Sequence, residues 1–303
     1  MELSIDEMLN KLEKESKKTG DELNAIKERE RILKLKETYS GEDEVIDSET
    51  AWKDWQANKK TNYIKVKTKI PMLDDIIDGF REGNLIVVSA PTKQGKTTLC
   101  QTFTANFAKE GWNCLWFSYE VSVGEFLEKF NDKVPLFFLP KQLKENTLLW
   151  IETKIVEAIA KFNTKIIFID HLHYIINLEN INRNINTSLY IGSVMRELKK
   201  IAIRWNVIIF VICHITKTAL DKPPELGDLR DSSFIAQEAD IVMFLWRMMR
   251  REREMPVFLN ESILSVQANR RTGKTGIIKL GFKDNMFFEM IDEKQVKKVF
   301  NYE

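Results

Sequence analysis

Leu85-Ile86-Val87-Val88-Ser89-Ala90-Pro91-Thr92-Lys93-Gln94-Gly95-Lys96-Thr97-Thr98 is the stretch on which the reading of the fold turns. Its first four residues are apolar and mostly β-branched, the pattern of a buried strand. A loop holding Pro91 and Gly95 follows, and Leu99 to Lys109 continues as a helix. Strand, loop and helix in that order are the setting a P-loop requires. Backbone N–H groups converge in such a loop at the positive end of a helix, and together they cradle a polyphosphate. The cradle would comprise Ala90, Pro91, Thr92, Lys93, Gln94, Gly95, Lys96, Thr97 and Thr98. Lys96 would reach the β- and γ-phosphates of ATP, and the Thr97 hydroxyl would ligate Mg²⁺. Ala90 stands where the motif has its first glycine, but the Gly-Lys-Thr end is intact.

Working outward, short apolar runs alternate with helical ones: Cys114 to Phe117, Ile166 to Ile169, Val207 to Ile212 and Ile241 to Leu245. Between the second and third of these, Ile191, Val194, Leu198, Ile201 and Trp205 mark one helix face. Near-continuous apolar strands linked by helices imply an α/β fold with a mostly parallel central sheet covered on both faces. Ile277 to Phe282, a Lys283-Asp284-Asn285 turn and Phe287 to Met290 predict a hairpin closing one sheet edge. Asp170, at the tip of the Ile166–Ile169 strand, is the candidate Mg²⁺ ligand, with capping of the next turn as its structural alternative. Glu120, just past the second strand, is the candidate general base if that strand neighbours the P-loop strand. Its alternative is a surface glutamate opening a Val121–Phe130 helix. His214, after the fourth strand, is placed to contact a γ-phosphate, or else to cap the strand. His171 and His173 as a pair lack further Cys or His ligands nearby in sequence, so no zinc is expected.

The 303 residues carry 46 Lys+Arg against 45 Asp+Glu, a formal net charge of +1. That balance argues against coating nucleic acid by bulk charge, while leaving room for a local basic patch. A hydrophobic content of 44% is enough for a real core. No apolar run approaches the roughly 18–20 residues of a membrane span, and the acidic start resembles no targeting signal. With Cys100, Cys114 and Cys213 all in apolar settings, a cytoplasmic location is expected. Residues 1–60 differ from the rest: they are highly charged, with apolar residues at helical spacing over 3–35 and an acidic linker at 39–44. A stripe that thin must dock on something, the alternative being a frayed charged extension. Residues 61–303 would form the α/β domain.

From Thr68 to Met290 the chain resembles the RecA-like motor domain of the DnaB-type replicative helicases, the family that includes phage primase–helicases and Twinkle. Thr68-Lys69-Ile70-Pro71 through Gly79-Phe80 resembles the family's lead-in to the P-loop strand, and Ala90 with Thr97 is the family's own form of that loop. Phe117-Ser118-Tyr119-Glu120 resembles the segment bearing the catalytic glutamate. Ile169-Asp170-His171-Leu172 resembles the Mg²⁺ aspartate segment, and His214 falls where the family has a phosphate-sensing Gln or His. Gly227-Asp228-Leu229-Arg230-Asp231-Ser232-Ser233 to Asp240 resembles the DNA-binding loop. That likeness implies contacts from Arg230, Asp231 and Ser233 to single-stranded DNA, although Ser233 replaces a common glycine. Lys217 and Lys222, just upstream, are further candidate phosphate contacts. Arg270 and Arg271 resemble the family's arginine-finger strand, on which alternate residues face opposite sides, so one of the two would serve. The family's lysine two residues earlier is replaced by Ala268 or Asn269.

The resemblance implies an ATP-driven, Mg²⁺-dependent, ring-forming helicase or translocase on single-stranded DNA, acting in DNA replication. It also implies a homo-oligomer, expected to be a hexamer, in a bacterial, phage or plasmid setting. A primase or helicase loader is the implied partner, no membrane is involved, and residues 3–35 would dock on a neighbouring subunit. Two other readings stay open: a recombinase- or KaiC-like ATPase, and a nucleotide-binding helicase-assembly factor that does not unwind.

Overall fold

The computed structural model describes residues 45–62, 64–131, 133–175, 187–215, 223–228, 232–252 and 255–290, with isolated positions 10, 27, 29 and 30. The chain divides into two compact units, Met1–Asn62 and Tyr63–Glu303. In the first, α1 spans Ser48–Asn62. Asp47 accepts from the Glu49 and Thr50 N–H groups, both at 2.9 Å, satisfying free donors of the first turn. Trp52 and Trp55 stack on this helix with ring centroids 4.9 Å apart, and both are exposed. Most of the expected helical stretch over 3–35, and the acidic linker at 39–44, lie outside the described residues.

In the second unit the chain runs β1 (Lys65–Val66), α2 (Pro71–Ile77), β2 (Phe80–Arg81), β3 (Leu85–Ala90), α3 (Lys96–Lys109), β4 (Cys114–Ser118) and α4 (Val123–Glu128). It continues with α5 (Leu148–Phe162), β5 (Ile166–Asp170), α6 (Leu172–Ile175), α7 (Thr187–Arg204), β6 (Ile208–His214) and α8 (Ser232–Glu238). It closes with β7 (Ile241–Glu252), β8 (Met255–Asn269), β9 (Gly276–Lys283) and β10 (Met286–Glu289). Eight strands form one sheet in the order β10-β9-β8-β7-β3-β6-β5-β4. The five from β7 to β4 are parallel, and β8, β9 and β10 extend them antiparallel.

Apolar residues at successive positions of the parallel strands must serve two cores, one on each face. Ile86, Val88, Phe168, Phe210 and Ile212 pack with Leu99, Phe103 and Phe107 of α3 on one side. Val87, Ile167, Ile169, Ile209 and Val211 pack with Ile151 and Ile155 of α5 and Val194, Leu198 and Ile201 of α7 on the other. Burying each of these large side chains contributes roughly 1.5–3 kcal/mol. The predicted α/β class and the edge hairpin match this sheet.

Two parts of the reading need correction. β7 runs to Glu252, well past Leu245, and pairs with the fifteen-residue β8, whose 260–269 half has no continuous apolar run. A hairpin arm with one wet face needs apolar residues only at alternate places, as at Leu264 and Val266. Also, β4 is the sheet edge and does not neighbour β3; β6 and β5 lie between them.

Candidate active site

The parallel strands all end at one side of the sheet, and their register sets what meets there. Ala90 at the end of β3 pairs with His214 at the end of β6. Asp170 pairs with Ile212 on β6 and with Ser118 on β4. The three strand tips and the β3–α3 loop therefore share one rim, where ligands of open α/β sheets bind.

The loop is held from three directions. Lys93 and Gly95 take positive φ, 62° and 91°. A side chain at Gly95 would put its Cβ 3.2 Å from the Phe287 ring of β10. The buried Gln94 accepts from the Arg247 N–H of β7 at 2.7 Å. From Gly95 the chain enters α3, whose first residue, Lys96, is buried. The Lys96 ammonium donates to the Ala90 and Pro91 carbonyls, each at 3.2 Å. Burial lowers its pKa, while Asp170 and Glu120 oppose that shift. A lysine so placed is centred on the loop whose N–H groups would face a phosphate.

Thr97 Oγ1 donates to Asp170 Oδ2 at 2.7 Å. The other carboxylate oxygen, Oδ1, is buried without a hydrogen-bond partner among the described residues. Burial raises the Asp170 pKa to about 6, despite the Thr97 bond. A buried carboxylate with one oxygen free, bonded to a hydroxyl at a helix start, is a donor set that suits Mg²⁺. Asp170 does not cap the following turn; its side chain faces Thr97.

Glu120 is not the first residue of a helix. Ser122 caps α4, accepting from the Glu125 N–H while the Glu125 carboxylate accepts from Ser122 N–H, and this leaves Glu120 exposed before the cap. Well away from β3 along the sheet, Glu120 still reaches the rim: it comes together with His171 and His214, one ligand atom of each lying within 4.8 Å of the others. The His171 and His214 rings are 4.4 Å apart. Burial is the main cause that lowers their pKa values, to about 3 and about 4, so both are neutral at pH 7.

The two arginines also part company. β8 ends at Asn269, so both lie in the turn beyond it, not on a strand with alternating faces. Arg271 pairs with Asp78 at 2.7 Å and donates to the Ile77 and Asp78 carbonyls at 2.5 and 3.2 Å. Arg81 and Lys65 meet the same Asp78. Arg270 is exposed, and its side chain makes no hydrogen bond or ion pair among the described residues. Arg230, Asp231, Lys217 and Lys222 lie outside the described residues, and Ser233 is described only as backbone within α8.

Sequence reasoning missed Gln94, Phe287 and Asp78 as supports of the site. Each acts through a partner more than 150 positions away, for which no local pattern exists.

Among the described residues no helix is long and apolar enough to cross a membrane. The replicative DNA helicases DnaB of Mycoplasma pneumoniae and Helicobacter pylori are each 26% identical to the chain. The matches cover 71% and 77% of this chain and 54% and 55% of those relatives. The chain thus spans about half the length of the curated relatives it matches. Among solved structures, an ATPase domain is 19% identical, with a TM-score of 0.67 over 82% of this chain and 100% of that one. A DnaB-like replicative helicase, solved to examine its interactions with primase, is 17% identical, with a TM-score of 0.65 over 93% of this chain and 75% of that one. Both share the RecA-like fold. A KaiC ATPase model matches residues 66–134. The model of the DnaB-like helicase C-terminal domain matches residues 128–289, more than half of the sequence, and the chain belongs to that family.

Proposed function

We propose that the protein is an ATP-hydrolysing, ring-forming helicase or translocase that moves on single-stranded DNA during replication. The observation that carries this reading is the rim itself. Lys96, the Thr97–Asp170 pair with its free oxygen, Glu120 and His214 meet on a P-loop, in a chain of the DnaB-like family. Lys96 and the loop N–H groups hold the phosphates of ATP. Thr97 and Asp170 would hold Mg²⁺, which neutralises charge on the β- and γ-phosphates when bound. Glu120 takes a proton from the attacking water, and its exposed position leaves it accessible to that water. Neutral His214 contacts the γ-phosphate edge from the strand beside the loop. Arg270 from a neighbouring subunit completes the site, because Arg271 is already committed to Asp78. Arg230, Asp231 and Ser233, with Lys217 and Lys222, hold the backbone of single-stranded DNA in the channel of a homo-hexamer. A primase or loader is the expected partner.

The KaiC match favours a second reading, a regulatory or recombinase-type ATPase, but it covers only the region around the P-loop. ATP turnover with and without single-stranded DNA separates the two. The helicase reading expects strong stimulation, lost in Arg230→Ala, and a fall of about 100-fold or more in Lys96→Ala. Turnover indifferent to DNA would refute it.

A further inference from the structure

The chain has only three histidines, and the fold brings all three to the same rim. His171 lies just past the end of β5 and His214 ends β6; Glu120 follows β4. Their ring nitrogens and carboxylate oxygen lie within 4.8 Å of one another. Ligands of a tetrahedral zinc ion at about 2.05 Å stand roughly 3.4 Å apart. Closing this site therefore asks for a movement of about an ångström, and Glu120, exposed on a loop, is free to make it. Nδ1 of His214 is buried without a hydrogen-bond partner among the described residues. The His171 ring makes one hydrogen bond among them, a long one from the His173 N–H at 3.3 Å. Each ring thus keeps a nitrogen without a hydrogen bond among the described residues, and imidazole with a carboxylate is a ligand set that suits zinc and its neighbours in the first transition row.

We propose that Glu120, His171 and His214 form a transition-metal site of the zinc class, with three protein ligands and one open position, and that its occupancy silences ATP turnover. Three ligands with a fourth place open to water is the form of an accessible site, not a closed structural one. The site differs from the Thr97–Asp170 pair in its donors, which include nitrogen where Mg²⁺ prefers oxygen alone. Metal binding needs only the geometry above. The silencing rests on the reading of Glu120 as general base, since a carboxylate bound to a metal cannot take a proton from water.

The full chain titrated with Co²⁺, without nucleotide, tests the site directly. One equivalent should give the intense visible bands of four-coordinate cobalt, bleached by one equivalent of Zn²⁺. His171→Asn and His214→Ala should each lose the bands and weaken Zn²⁺ binding by at least about 10-fold. Because a variant can fail to fold, zinc-edge X-ray absorption on the unaltered protein is the second measurement, and it should count two imidazoles. A six-coordinate cobalt spectrum, bands that survive in His171→Asn, or zinc without imidazole ligands would each overturn the site. In turnover assays with excess Mg²⁺, zinc should silence the parent protein, a chelator should restore it, and His171→Asn should keep its own rate. Silencing undiminished in His171→Asn overturns the regulatory claim. Absence of any turnover counts against the ATPase reading, while the cobalt spectrum still decides the metal site.

Discussion

Asp170 shows how one side chain can be costly to the fold and still be kept. It is 1% exposed, and burial lifts its pKa from 3.8 to about 6. Between those values the native protein holds a proton that the unfolded chain has released, so stability falls as pH rises through the window. The penalty is complete above about pH 6 and absent below about 4; a shift of some two units corresponds to about 3 kcal/mol. Asp170→Asn removes it and leaves an oxygen for the Thr97 hydroxyl. The variant should melt higher than the parent at pH 7.5 in divalent-free buffer, with the difference shrinking toward pH 4.5. A difference constant with pH would show that the charge is not its cause. Lys96, Thr97 and Asp170 were readable from the sequence because each sits at a strand tip or a loop beside a recognisable apolar run. Gln94 was readable as part of the loop but not as its brace, since that role depends on the Arg247 N–H, 153 positions on.

The turn after β8 and its anchor at Asp78 form a unit that joins two distant parts of the chain. Asp78 takes the left-handed conformation at the end of α2 and draws in Lys65, Arg81 and Arg271. Opposed by three cations, its carboxyl stays below the usual carboxylate range, led by the Lys65 bond. Arg271 thereby fixes the turn, and its neighbour Arg270 projects from a held base. Arg270→Ala should lower DNA-stimulated turnover by about 10³-fold or more, with an unchanged melting temperature. Arg271→Ala should lower stability by about 1–3 kcal/mol. Equal thermal losses in both variants would refute this division, and calorimetry alongside turnover measures it. In the sequence only a slight preference for Arg270 separates the two arginines, and the expectation that they lie on a strand fails because β8 ends at Asn269. The apolar parallel strands were legible for a plain reason: burial on both faces writes itself as a continuous run. The 260–269 half of β8 was not, because a strand wet on one face interrupts its own signal, and no local pattern states which strand lies beside which.

The expected docking role of residues 3–35 belongs to the proposed ring. If that segment joins subunits, removing residues 1–45 should reduce the particle mass in light scattering to that of one chain, and an unchanged mass would end the idea. Binding of single-stranded DNA should weaken with salt by a slope near −0.7 for each phosphate neutralised. The support of Gly95 by Phe287, whose N–H also donates to Thr102 of α3 at 3.1 Å, has a consequence for synthesis. Gly95 of the phosphate loop is translated well before Phe287, whose ring lies beneath it. Until β10 has been made, nucleotide cannot steady the nascent chain through this contact, and the loop lacks its full footing.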